Sequence, residues 1–170
     1  MSETRALVSI VMGSKTDLEV MSEAAKVLRK FGVTYELRVI SAHRTPDKAH
    51  EFGRSVKHRG IRTIIAGAGK AAHLAGVLAS LTTLPVIGVP MTTSDLGGMD
   101  SLLSTVQMPG GIPVAATAIG KAGAVNAALL AIAILALSDP VLDVKLSEYR
   151  DEMAETVEKD DADLQGVRHE

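Results

Sequence analysis

The sequence predicts a doubly wound α/β fold, with one parallel sheet covered by helices on both faces. Short β-like runs alternate with amphipathic or alanine-rich helical stretches along the chain. Runs such as Leu7–Met12 and Thr63–Ala66 are near-continuously apolar, as strands buried on both faces are. Two helix starts follow directly on strand ends, the edge of an open α/β sheet where ligands bind.

Taken in order, Leu7–Met12 reads as a strand and Asp17–Phe31 as a helix. Thr34–Ile40 is a strand, and Pro46 to about Arg59 a helix. Arg62–Ala66 is a strand, followed by a helix from about Ala71 to Leu81. Pro85–Val89 is a strand, with a helix near Ser101–Gln107. Val114–Ala116 is a short fifth strand. The apolar run Ala127–Leu137, reaching back to Ala122, is a buried helix, because a membrane span needs about 20 apolar residues. A charged helix covers about Pro140–Lys159, and the acidic tail beyond it is expected to fray. No repeat or linker interrupts the 170 residues, so a single domain is expected.

In Thr16-Asp17-Leu18-Glu19 the threonine hydroxyl is placed to cap the helix while Glu19 reaches back, a capping box. In Thr45-Pro46-Asp47 the threonine is an N-cap and Pro46 occupies the first helical position, where its missing N–H costs little.

Composition narrows the function classes. Aromatics are 2% of the chain, so Ala, Val, Ile and Leu must build the core, and no ring set is available to stack on a flavin. The net charge of -2 gives no electrostatic case for a nucleic-acid or membrane partner. Without cysteine there is neither a disulfide nor a thiolate nucleophile, which fits a cytoplasmic protein. A helix apolar on all sides needs more cover than one small domain supplies, which points to self-association.

Three loops carry candidate chemistry. Met12-Gly13-Ser14-Lys15-Thr16-Asp17 joins the first strand to its helix. Free N–H groups, a glycine and the Ser14 hydroxyl suit a phosphate or ribose, and Asp17 suits ribose hydroxyls. An ordinary capped turn would use the same residues. Ser41-Ala42-His43-Arg44-Thr45-Pro46-Asp47 lies at the same edge of the second strand. His43 can donate and accept a proton near neutrality, and Arg44 can grip a phosphate or carboxylate. Helix capping alone is the competing explanation, and the loop's position favours a site.

The third loop, Ala66 to Gly76, is rich in small residues that let backbone approach a planar ligand. Tight helix–strand packing would use them equally well. His73 reads either as a site residue or as a helix cap. Gln107–Pro113 and Gly120–Ala124 read as turns without chemistry, and His50 and His58 as solvent-facing residues.

Together these motifs resemble the class I N5-carboxyaminoimidazole ribonucleotide mutases, the bacterial purine enzymes often called PurE. The resemblance rests on MGSKTD at Met12–Asp17, SAHRTPD at Ser41–Asp47 and AGAGKAAHLAG at Ala66–Gly76. LPVIGVP at Leu84–Pro90, DSLLSTVQMPGGIPV at Asp100–Val114 and AIGKAGAVNAALLA at Ala118–Ala131 extend it, so that it runs from about Leu7 to Arg150. It implies a flavodoxin-like three-layer α/β/α sandwich with a five-stranded parallel sheet, assembled as a homo-octamer. It also implies an isomerase of de novo purine biosynthesis acting on a small nucleotide, without metal or organic cofactor. His43 matches the family's acid/base. Ser14, Asp17 and Arg44 match its substrate-binding positions, with Ser14 and Arg44 towards the phosphate and Asp17 towards the ribose. Ser41, Ala42, Gly69, His73 and Leu74 match the wall around the base and carboxylate.

Two positions depart from the class I pattern: Lys70 stands where a third glycine is usual, and Ala75 where a proline is. The class II relatives, which carboxylate aminoimidazole ribonucleotide directly, carry Arg-Ser-Asn-Ala in this loop. Here Ala68-Gly69-Lys70-Ala71 follows instead, which favours the mutase. A non-catalytic nucleotide-binding module is a further alternative, against which a titrating His43 argues.

Overall fold

The computed structural model describes residues 5–166. By chain contacts it comprises two compact units, Met1–Ala131 and Ile132–Glu170, with the boundary inside one helix.

The first unit holds the sheet. Its strands are β1 (Val8–Met12), β2 (Tyr35–Val39), β3 (Thr63–Ala68), β4 (Val86–Pro90) and β5 (Ala115–Ala116). They lie in the order β2-β1-β3-β4-β5, every pair parallel. The order steps outward from β1 in both directions, so the chain reverses at the β1/β3 junction and opens a crevice there. Register aligns the carboxyl ends: Met12 pairs with Val39 and with Gly67, and Ala68 with Pro90.

Between the strands run α1 (Leu18–Phe31), α2 (Pro46–Ser55), α3 (Leu74–Leu81) and α4 (Met99–Val106), and α5 (Lys121–Ala136) follows β5. β1 and β4 are buried throughout and β3 up to Gly67, in keeping with their apolar sequences. β2 is an edge, with Leu37 and Val39 exposed. One core layer joins Val11, Ile64 and Ala66 of the sheet to Phe52 of α2 and Leu74 and Leu78 of α3. Within the first unit α5 buries Ala124, Ala127, Ala128 and Ala131, spaced for one helical face, while Leu130 remains open.

The second unit holds the end of α5 and α6 (Pro140–Gly166). Contrary to the expected frayed tail, α6 continues past Lys159 to Gly166. Ala162, Leu164 and Gln165 favour helix there, and Gln165 bonds Asp161 at 2.8 Å, an i,i+4 pair. Residues 167–170 and Met1–Thr4 lie outside the described residues. Among the described residues no helix is long and apolar enough to cross a membrane.

Local signals were displaced at three other places. The capping box is formed by Ser14 and Asp17, not Thr16 and Glu19: Ser14 Oγ accepts from the Thr16 N–H, and the Ser14 N–H donates to Asp17 Oδ2 at 3.2 Å. A 3-10 turn over Lys15–Asp17 therefore precedes α1, and Glu19 instead pairs with Lys121 at 2.7 Å. Thr45 makes no side-chain cap, because its hydroxyl donates to the Ser41 carbonyl at 3.0 Å. Finally, α2 ends at Ser55, short of Arg59, in a turn leading to Gly60 at φ 93°.

Candidate active site

The loops that leave β1, β2, β3 and β4 converge at the carboxyl edge of the sheet around a cleft of about 540 Å³. Backbone bonds lock them together: the Gly13 N–H donates to the Gly67 carbonyl at 3.0 Å, and Ile40 N–H to the Met12 carbonyl at 2.9 Å.

The first loop presents Ser14 and Asp17, held against each other by the capping box. Burial pushes the Asp17 carboxyl above its ordinary range. The Ser14 N–H, the Thr16 hydroxyl and the Arg44 charge pull the other way without cancelling it. A half-buried carboxylate kept from full solvation is primed to accept hydrogen bonds from a ligand.

The second loop is shaped by Ser41. Its carbonyl accepts from the Thr45 N–H at 2.9 Å, and its hydroxyl accepts from the Arg44 N–H at 3.1 Å. That turn throws His43 and Arg44 outward. The Arg44 guanidinium crosses to the first loop and donates to the Gly13 carbonyl at 3.1 Å, so both loops share one cation.

The third loop brings His73 to His43. Nε2 of His43 lies 2.9 Å from Nδ1 of His73, with the rings edge to face at 77°. One ring must donate and the other accept, so the pair fixes complementary tautomers. His73 stands at the N-cap of α3, but its side chain caps nothing and is spent on His43. Leu74, the next residue, is buried. α3 begins at Leu74 rather than Ala71, because Lys70 has a left-handed backbone, φ 55°, and the Ala72 N–H donates to the Ser104 hydroxyl. Ala75, buried in the first turn of α3, sits where a proline is also tolerated.

Ser14, Asp17, Ser41, Ala42, His43, Arg44, Gly69, His73 and Leu74 all line this one cleft. The fourth loop also lines it, through Met91, Thr92, Thr93 and Ser94, which the sequence reading left unassigned. The signal was present: a polar Thr-Thr-Ser run follows a fully apolar strand at the same sheet edge. The turns at 107–113 and 120–124 do not line the cleft, and His50 and His58 are exposed away from it.

Parallel strands in the order 2-1-3-4-5, with polar loops gathered around an imidazole pair at the switch point, define a flavodoxin-like α/β protein with a candidate small-molecule cleft. The family model described as AIR carboxylase matches residues 7–156, and the chain belongs to that family. It is 55% identical over 159 residues to the N5-carboxyaminoimidazole ribonucleotide mutase of Pyrococcus horikoshii, covering 94% of this chain and 89% of the relative. It is 58% identical over 151 residues to that of Bacillus subtilis, covering 89% and 93%. Among solved structures, Treponema denticola PurE superposes with a TM-score of 0.85 at 29% identity, covering 94% of this chain and 99% of the other.

Proposed function

We propose that this chain converts N5-carboxyaminoimidazole ribonucleotide to 4-carboxy-5-aminoimidazole ribonucleotide in de novo purine biosynthesis, an isomerisation in which His43 carries the proton. The observation that bears most weight is the His43–His73 contact inside a cleft shared by all the loop residues named above.

In this scheme the carbamate N–C bond breaks first, releasing CO2, and protonated His43 gives its proton to the ring-bound amine nitrogen. The amine then pushes electron density to C4, which attacks the retained CO2. Neutral His43 removes the C4 proton and returns to its starting state. One carboxylate and one proton have moved, and no redox partner is needed. The enzyme's contributions are retention of CO2, positioning and an imidazole that carries the proton. Ser14 and Arg44 take the phosphate and Asp17 the ribose hydroxyls. Ser41, Ala42, Gly69, His73 and Leu74 wall the base and carboxylate. His73, bonded to His43, fixes which imidazole nitrogen faces the substrate.

The working form in this reading is a cytoplasmic homo-octamer. Apolar side chains left open, Leu37 and Val39 on β2 and Leu130 on α5, favour association with further copies. Two parallel assays test the reaction. The purified protein should isomerise the carbamate, and should carboxylate aminoimidazole ribonucleotide with bicarbonate only at far higher bicarbonate. Efficient direct carboxylation with no isomerisation would replace the mutase by a carboxylase.

A further inference from the structure

Lys70 has no part in the chemistry just described, yet it is the one non-glycine residue with positive φ among the described residues, at 55°. A side chain in that region crowds the following carbonyl, so its presence there invites a functional explanation. The backbone is pinned on both sides: the Ser104 hydroxyl of α4 accepts from the Ala72 N–H at 3.2 Å and lies 3.2 Å from the Lys70 carbonyl oxygen. From there the Lys70 side chain reaches the loop between β4 and α4, with Nζ 2.6 Å from Asp95 Oδ2. The other oxygen of Asp95 accepts from Ser94 Oγ at 3.3 Å. Thr93 ties the same loop to α4, donating to Asp100 Oδ1 at 2.9 Å and accepting from the Gly98 N–H. Lys70 and Thr92–Ser94 all line the cleft.

We infer that Lys70 and Asp95 form a closing pair that holds the β4–α4 loop against the third loop and slows escape of CO2 from the cleft during turnover. The inference rests on the mutase reading above. Both side chains are largely exposed, 70% and 62%, so the contact is screened and reversible. Such a pair can open for the nucleotide and re-form over it. It acts by positioning a loop and takes no part in proton transfer.

The test is the partition of consumed carbamate between 4-carboxylated product and free aminoimidazole ribonucleotide, after subtraction of spontaneous loss. Lys70→Met and Asp95→Asn should each raise the decarboxylated share by about threefold, a size suited to an exposed pair. Because both remove one contact, the double variant should leak no more than either single. Exchanging the charges, Lys70→Asp with Asp95→Lys, should restore retention. About 1 M salt should increase leakage in the wild type but not in the double variant. An effect from Lys70→Met without one from Asp95→Asn would overturn the pair in favour of a lysine acting on substrate directly, and indifference to both would overturn it outright. A wild type that makes no carboxylated product refutes the mutase reading and takes the pair's role with it.

Discussion

Gly123→Ala should destabilise the protein severely and disturb the strand end that leads into its cleft wall. A Cβ built on Gly123 falls 1.6 Å from the Ala118 carbonyl oxygen and 2.7 Å from its carbon. A carbon and a carbonyl oxygen touch comfortably at about 3.3 Å, so one of two backbone segments must retreat by about 1.7 Å. Neither segment ends in a flexible side chain. The segment carrying Ala118 is held to β4 by Thr117 N–H to the Gly88 carbonyl at 3.0 Å and Gly120 N–H to the Pro90 carbonyl at 2.9 Å. Overpacking of this kind costs about 1–3 kcal/mol, and weakening those two bonds adds about 1 kcal/mol each. Alanine's better helix propensity returns at most about 1 kcal/mol. The balance is a loss of about 3 kcal/mol, or a Tm lowered by about 6–12 °C for a chain of this size. Because Pro90 leads into Met91–Ser94 on the cleft wall, turnover should fall as well. Thermal unfolding at fixed protein concentration measures the effect against Gly110→Ala, whose Cβ meets nothing within 4 Å. A Gly123→Ala protein as stable as that control would refute the packing argument.

Three shorter predictions concern charge and backbone. Glu36 accepts from Nη1 and Nη2 of Arg59, at 2.9 and 2.7 Å, and from the Ser9 hydroxyl. Burial works to raise its pKa, but those bonds prevail and hold it below the ordinary 4.5. Its stabilisation is therefore present above that value and is lost as pH falls through the depressed one. Glu36→Gln should cost about 1 kcal/mol at neutral pH in urea unfolding, with the gap closing in acid. Asp17 has the opposite sign, since burial raises it above 3.8, so its contribution is full below 3.8 and declines as pH climbs through the raised value. Asp17→Asn, which retains an acceptor for the Ser14 N–H, should keep or slightly raise stability at pH 7 while weakening nucleotide binding by about tenfold, read by calorimetry. Lys70→Gly, which relieves the left-handed backbone, should stay within about tenfold of wild-type activity, and a complete loss would give Lys70 a catalytic part.

Long-range organisation was legible because the burial demand is written into composition. Strands such as β1 and β3, covered on both faces, are near-continuously apolar, and their alternation with helices leaves few topologies. The loops were legible for a related reason, since each follows directly on the carboxyl end of a strand in the parallel sheet. What the sequence concealed was local competition. Ser14-Lys15-Thr16-Asp17 and Thr16-Asp17-Leu18-Glu19 overlap as capping boxes, and only the 3-10 turn decides between them. Thr45 serves the Ser41 turn instead of its helix, and His73 serves His43 instead of α3. Alanines at 71 and 72 favour helix, but the Lys70 backbone and the Ser104 bond across the chain override propensity. That bond and the Lys70–Asp95 contact join residues 32 and 25 positions apart, beyond the reach of any local pattern.

His43→Asn bears most directly on the account. Asparagine keeps a polar group in the loop but cannot shuttle a proton near neutrality. With the 4-carboxylated nucleotide as ligand in calorimetry and the carbamate as substrate in a product assay, affinity should change by less than about tenfold while turnover falls by at least about a hundredfold. Turnover that survives the substitution, with binding equally intact, would remove His43 from the reaction.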